Sequence, residues 1–518
     1  MILDEESMKK TILESQPAGY LFVLKSLGIE GFPNWHQSFV AHGNSSQRIM
    51  EDGRVIEVFR SQYWPGDGLC AQLEFALKYD GANPQLLFLI FQRMDSSLLV
   101  SYVQSKPTSK YARQLWFWYE YLLEEQLPLE NVTSGNYVEL LDSKQYYTLS
   151  SKGSKKSKKS KRSKRHRVTD NLLGVPSFCP IVRRTKKLQQ STPADIHARC
   201  TKIQEQYTPE HLKRALGFLY TKETKSSFEI EREQPSPSRQ ERFIALLQQA
   251  SKDDFCSKRL LLGLQNQVVD ARFADVDYRS SQNYVGESLG YGRERIHYVC
   301  PKPSDIHNLM DGLLACHRRM MSDASLSPLV HAAVVSYGFV FLHPFEDGNG
   351  RIHRFLLHNI FALRELVPSG LMFPISATML KYPSLYDDSL ERFSRPLMRL
   401  LDYTLTDMGE MEVEQKTKHF YQYLDLTDQV ETVSDFVLKT IDEELVTELE
   451  FLHAYDQARR EILSILDMPN RTVDLLIQVC LSNQGMLSAR KRASHFDFLE
   501  DDEIQQIEMV IQEYFIQK

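Results

Sequence analysis

Long apolar runs are missing from this chain. Nowhere in its 518 residues does one approach the roughly 20 needed to span a bilayer. The opening MILDEESMKK is acidic where an export signal would be basic, so no cleaved leader is expected. Cysteine is sparse and shows no pairing pattern. Cys70, Cys179, Cys200, Cys256, Cys300, Cys316 and Cys480 are odd in number, far apart and without a C-x-x-C, which argues against a disulfide framework or a thiolate zinc site. A reducing, cytoplasmic setting fits that usage. Tryptophan is absent after residue 118, so Trp35, Trp64, Trp116 and Trp118 mark the first ~150 residues as a region with its own aromatic core.

What is present reads as globular. Hydrophobic residues make up 42% and charged residues 25%, and the length allows two to four domains. Charge is unevenly placed. The net charge is −6, yet residues 152–167 (KGSKKSKKSKRSKRHR) hold ten Lys or Arg and no acid; without them the chain stands at −16. Such a Ser/Lys run buries no apolar surface and is expected as a disordered loop over 151–170. It suits an anionic partner (nucleic acid, membrane or acidic protein) or a nuclear address in a eukaryotic host, although no aromatic interleaves it to stack on bases. Elsewhere helical signals dominate. Thr208-Pro209-Glu210 reads as an N-cap and first turn, and Ser327-Pro328 opens an apolar helix through Leu342. The expected fold class is mainly α, with a mostly helical N-terminal domain at 1–150, a connecting segment at 171–210 and a C-terminal helical or winged-helix module at 411–518.

One stretch outweighs the rest: His343-Pro344-Phe345-Glu346-Asp347-Gly348-Asn349-Gly350-Arg351-Ile352-His353-Arg354. It leaves a buried helix, turns through Gly348-Asn349-Gly350 and enters a second helix. Glycines there permit positive φ, so successive backbone N–H groups can converge at a helix N-terminus as an anion pocket. Arg351 and Arg354 share one face of the first turn, where two cations oppose the helix dipole unless an anion is bound. Asp347 offers a hard oxygen for Mg²⁺ beside a di- or triphosphate. His343, as an imidazole, can take a proton from an attacking hydroxyl near neutral pH. Together these read as nucleotidyl transfer to a hydroxyl.

The stretch resembles the signature of the Fic (filamentation induced by cAMP) family, H-x-F-x-[D/E]-G-N-G-R-x-x-R, at all eight specified positions: His343, Phe345, Asp347, Gly348, Asn349, Gly350, Arg351 and Arg354. The resemblance implies an all-helical Fic core, here over 211–410. Its implied activity is transfer of AMP from Mg-ATP to a Ser, Thr or Tyr hydroxyl of a target protein, with release of pyrophosphate. By matching positions, His343 is the implied general base, Asp347 the Mg²⁺ ligand, Gly348, Asn349, Gly350 and Arg351 the phosphate cradle, Arg354 the γ-phosphate contact and Phe345 a core anchor.

A second resemblance lies upstream. The family's inhibitory helix carries [S/T]-x-x-x-E-[G/N], and Ser227-Phe228-Glu229-Ile230-Glu231 matches its first five positions, with Arg232 at the sixth. The implied helix covers about 222–233, with Ser227 and Glu231 on one face and Glu231 competing for Arg354. Residues 279–303 read as a β-hairpin and resemble the family's flap, over which a target segment docks. Tyr386 falls in a segment resembling the adenine border and is equally compatible with the core. Segments 165–185 and 470–515 resemble flanking modules of one Fic subgroup. Partners left open are a target protein, the chain itself as target and a second copy as a homodimer; a translocated effector is a further setting. Alternatives within the family are UTP or CDP-choline as donor and removal of AMP. An alternative of another class is a nucleotide-sensing, nucleic-acid-binding regulator.

Overall fold

The computed structural model describes residues 12, 14–42, 46–51, 53–150, 161–290, 293–406 and 409–516. It is mainly helical, with four small sheets among the described residues. Two units divide it. The first combines Met1–Pro193, Ala245–Leu366 and Tyr382–Ser434; the second combines Ala194–Ile244, Val367–Lys381 and Asp435–Lys518.

In the first unit, strands β1 (Gln16–Ala18), β2 (His36–Val40), β3 (Gln47–Glu51) and β4 (Arg54–Phe59) form a sheet in the order β1-β2-β4-β3. Only β2 and β4 run parallel. The helical expectation for 1–150 did not include this sheet, and the reason is chemical. The inward positions of β2 are His36, Ser38 and Val40, so its buried face opens with polar residues. Asp80 satisfies both, with Ser38 Oγ donating to it and His36 Nδ1 at 3.2 Å. Helix α1 (Lys110–Leu123) supplies the centre of the core. Ser109 Oγ accepts from Ala112 N–H to start it, Glu124 ends it in the left-handed region, and Trp116 and Trp118 are fully buried.

The basic run departs from its expectation where it is described. Residues 151–160 lie outside the described residues, but from Lys161 the chain is structured. Strands β5 (Val138–Glu139), β6 (Lys161–Ser163) and β7 (Val168–Asp170) form a sheet in the order β5-β7-β6. Arg165 pairs with Glu120 at 2.8 Å and donates to Leu127 and Leu129 carbonyls. Arg167 donates to Val132, Thr133 and Gly135 carbonyls. A charge run is read as solvated because burying charge is costly; here each guanidinium is compensated by fixed acceptors. These two arginines are therefore scaffold.

The helices that frame the signature follow. They are α2 (Lys258–Val268), the antiparallel hairpin β8 (Tyr284–Gly290) and β9 (Arg293–Val299), α3 (Pro303–Met321), α4 (Pro328–Leu342), α5 (Asn349–Leu363) and α6 (Pro383–Met398). Proline stands in the first turn of α3, α4 and α6, where its missing N–H costs nothing. Ser327 occupies the N-cap position of α4, but its side chain makes no capping bond, unlike Thr208, whose Oγ1 accepts from His211 N–H. Helix α4 is buried all round, from Leu329 to Leu342 with Val340 alone half-buried, and α5 packs along it. Gly338 makes room: a Cβ there would lie 2.8 Å from Leu313 and from Phe178.

In the second unit, the long helix Pro209–Ile230 packs on Ile375–Lys381 and Val446–Ile465. Buried Glu223 accepts from Ser376 N–H at 2.8 Å and Ser376 Oγ at 2.5 Å, capping the first of these partners. The C-terminal helices Asn470–Leu481, Ala489–His495 and Asp501–Phe515 close around Val473, Leu476, Ile477, Phe496, Ile507 and Ile511. No strand occurs among the described residues after Glu412, so the winged-helix variant of the expectation is not adopted.

Candidate active site

Helix α4 ends at His343, which takes the left-handed conformation at φ 49° and ψ 59° while its N–H still bonds Phe339 O at 2.9 Å. For a non-glycine residue this costs about 1–2 kcal/mol. The imidazole Nδ1 lies 3.3 Å from Val340 O, in the last turn of α4. A carbonyl can only accept, so the proton sits on Nδ1 and the lone pair on Nε2.

The loop that follows is locked from within. Asn349 is buried, and its amide makes a reciprocal pair with the Phe345 backbone: Oδ1 accepts from Phe345 N–H at 3.1 Å and Nδ2 donates to Phe345 O at 2.8 Å. The Asn349 side chain is therefore a loop clamp, and its backbone N–H is the part that stands at the helix start. Phe345 has no exposed surface and packs beside Tyr278 and Phe339 at centroid distances of 5.7 and 6.1 Å. Gly348 stands at φ 90°, which favours glycine, and a Cβ there would be tight, at 3.0 Å from Val269 and 3.1 Å from Val268. Of the two glycines in this turn only Gly348 has positive φ; Gly350 is already helical.

Helix α5 starts here, with its first N–H groups at Asn349, Gly350 and Arg351. Arg351 and Arg354 are both 1% exposed. Arg351 donates to Val268 O at 3.0 Å and to Asp347 Oδ1 at 2.8 Å. Asp347 is half-exposed and accepts from Gly348 N–H with the same oxygen, at 2.5 Å. Asp275 adds a second carboxylate at this edge, accepting from Glu346 N–H at 3.2 Å. Burial pushes the Asp275 carboxyl above the usual range, and the charges of Glu346 and Asp347 add to that. An electronegative rim thus faces a strongly positive helix start, a pairing that suits a cation held between carboxylate and phosphate.

Arg279 is the residue that sequence reading missed. It opens the segment read as a hairpin, where no site role was assigned to it, yet it is buried and its guanidinium bonds three carbonyls, including that of His343. Gln265 is a second: its amide accepts from Asp275 N–H at 2.9 Å and donates toward the Asp347 carbonyl at 3.4 Å. The hairpin expected at 279–303 is present, with exposed Val285 and Leu289. Tyr386 is a core position, buried and stacked on His353 at 6.1 Å. Ser227 and Glu231 belong to the second unit: Ser227 is buried in the long helix, and Glu231 caps that helix's C-terminus.

A separate trio, Asp254, Cys256 and His317, brings possible metal donors within 4.8 Å of one another. Its proton order argues against a metal. Arg364 can only donate, to His331 Nδ1 at 3.1 Å, so His331 Nε2–H donates to His317 Nδ1 at 3.1 Å. His317 Nε2 then carries its own proton toward Asp254 at 3.0 Å and has no lone pair for an ion.

Residues 255–361 match the Fic/DOC family. The "protein adenylyltransferase Fic" of Culex quinquefasciatus is 30% identical over 116 residues, which is 21% of this chain and 20% of that protein. The "protein adenylyltransferase fic-1" of Caenorhabditis elegans is 31% identical over 121 residues, 23% of this chain and 21% of that one. The match thus spans about a fifth of these curated relatives. Among solved structures, a Fic family protein from Desulfovibrio desulfuricans G20 is similar over 62% of this chain and 84% of its own, at 17% identity and a TM-score of 0.31. A Fic domain containing signaling protein from Bacteroides thetaiotaomicron is similar over 50% of this chain and 95% of its own, at 18% identity and a TM-score of 0.37. With the complete signature seated between α4 and α5, residues 255–361 of this chain are a domain of the Fic/DOC family.

Proposed function

We propose that the chain is a protein adenylyltransferase, transferring AMP from Mg-ATP to a Ser, Thr or Tyr hydroxyl of a target protein. The observation that carries this reading is the turn at His343. Its Nδ1 lies 3.3 Å from Val340 O, and the imidazole stands a few residues before a helix N-terminus lined by Arg351 and Arg354, where its Nε2 would take the proton of an incoming hydroxyl. The target oxygen attacks the α-phosphorus while its proton passes to Nε2. The bond from that phosphorus to the bridging oxygen breaks, and pyrophosphate leaves. The first N–H groups of α5, with Arg351 and Arg354, hold and neutralise the phosphates. Asp347, with its half-exposed carboxylate, would hold Mg²⁺, which shields phosphate charge when bound. The names of the curated relatives support the same reading.

Restraint by Glu231 belongs to this proposal and rests on the Ser227 to Glu231 pattern. The test is label incorporation from α-labelled ATP with Mg²⁺ into lysate proteins or the chain itself, for wild type, Glu231→Gly and His343→Ala. Strong labelling by Glu231→Gly, weak labelling by wild type and none by His343→Ala is expected. Equal labelling by wild type and His343→Ala would remove the general base, and equal labelling by wild type and Glu231→Gly would remove the restraint.

A further inference from the structure

The His343 turn is held in its left-handed conformation by a side chain outside the signature. Arg279 N–H donates to Pro344 O at 2.8 Å, and Arg279 Nε donates to His343 O at 2.7 Å, so two successive carbonyls of the turn are bonded by one residue. The remaining arms point elsewhere. One Nη donates to Ser281 O and the other to Pro301 O, each at 2.6 Å. Ser281 lies just before β8 and Pro301 just after β9, so these are the two feet of the hairpin. Arg279 is 4% exposed, and burial holds its guanidinium below the usual range, so its charge is compensated by these carbonyl dipoles.

We propose that Arg279 is a positioning residue that couples the hairpin to the imidazole of His343, so that a segment docked on the hairpin is registered against Nε2. Two further straps act in the same sense. Ser281 Oγ donates to Glu346 Oε1 at 2.5 Å, tying the first foot to the signature loop. Tyr298 hydroxyl donates to Phe341 O, tying β9 to the last turn of α4. A planar guanidinium reaches three carbonyls in fixed directions, which a lysine ammonium cannot reproduce. The catalytic part of this inference rests on the proposed transferase reading; the coupling of hairpin to imidazole does not.

The full chain is compared as wild type, Arg279→Lys and Ser281→Ala. Three properties are read: amide hydrogen exchange over 284–299, the ¹⁵N signals of the His343 imidazole, and the rate of label transfer against the Kd for Mg-ATP. In Arg279→Lys, hairpin exchange is expected to rise about 10- to 100-fold, and the imidazole to lose its single Nδ1–H form. Transfer should fall on the order of 10²-fold while the Kd stays within about twofold. Ser281→Ala should shift each in the same direction by about two- to fivefold. A purely structural role would slow transfer without moving the imidazole signals, and that result overturns the proposal, as does wild-type exchange in the hairpin. If Arg279→Lys does not fold, Ser281→Ala decides on the same readouts. If wild type transfers no label, the transferase reading fails, and exchange and imidazole signals still decide the coupling.

Discussion

Among the helices that close on a non-glycine residue in the left-handed region, two differ in what holds that residue there. At the end of α4, His343 at φ 49° is fixed by its own Nδ1 on Val340 O and by Arg279 on its carbonyl. At the end of Pro209–Ile230, Arg232 at φ 56° is exposed. There the turn closes through two backbone bonds: Glu233 N–H to Phe228 O at 3.0 Å and Arg232 N–H to Glu229 O at 2.9 Å. That is a Schellman arrangement, whose left-handed position favours glycine or asparagine. The inhibitory pattern asks for Gly or Asn at this place, and the structure supplies the physical reason. Strain at His343 is matched by side-chain bonds to the turn; at Arg232 the backbone bonds of the Schellman turn hold it.

The comparison can be broken at several points. Replacing His343 by Ala should lower transfer by about 10³-fold or more while Mg-ATP still binds, checked by single-turnover labelling beside a nucleotide titration. Gly348→Ala should cost about 2–4 kcal/mol, because a Cβ both meets Val268 and Val269 and is disfavoured at φ 90°; a denaturant midpoint measures it. Asn349→Ala should cost about 2 kcal/mol by leaving the buried Phe345 N–H and C=O without their partners, seen in the same titration.

Acid sharpens it further. Burial, reinforced by the charge of Arg354, pushes His353 in α5 down to about 3, and burial pushes His419 down to about 4. In the unfolded chain both take a proton below about 6.5. Between that value and about 4 the unfolded state therefore binds more protons, and stability falls as pH falls, by up to ~1.4 kcal/mol per pH unit for each group. The Tm of the first unit should drop across that window, and His353→Gln should flatten the slope. The smallest effect is expected at Arg232→Gly. Relief of the left-handed strain should raise the stability of the second unit by about 1 kcal/mol, read as a higher thermal midpoint.

Much of the first helix pair around the site was legible in advance. The α4 boundaries, Pro328 to Leu342, and the turn that starts α5 follow from proline, apolar run and glycines. The β2 strand was not, because its inward residues are polar and compensated by Asp80, some 40 positions away. The ordered half of the basic run was hidden for the same reason: the acceptors that hold Arg165 and Arg167 come from residues 120–135.

By itself, the sequence determined the helical class, the local conformation around Gly348 and the complete signature from His343 to Arg354, since these depend on residue types at short spacing. Only the tertiary structure decided which side chains turn inward to serve the scaffold. Asn349 turned inward to Phe345, Tyr386 went to the core, and Arg279 reached from the foot of the hairpin to the carbonyl of His343. Hydrogen bonds between residues 64 positions apart leave no periodicity to read, because each is set by where packing brings a donor and a carbonyl together.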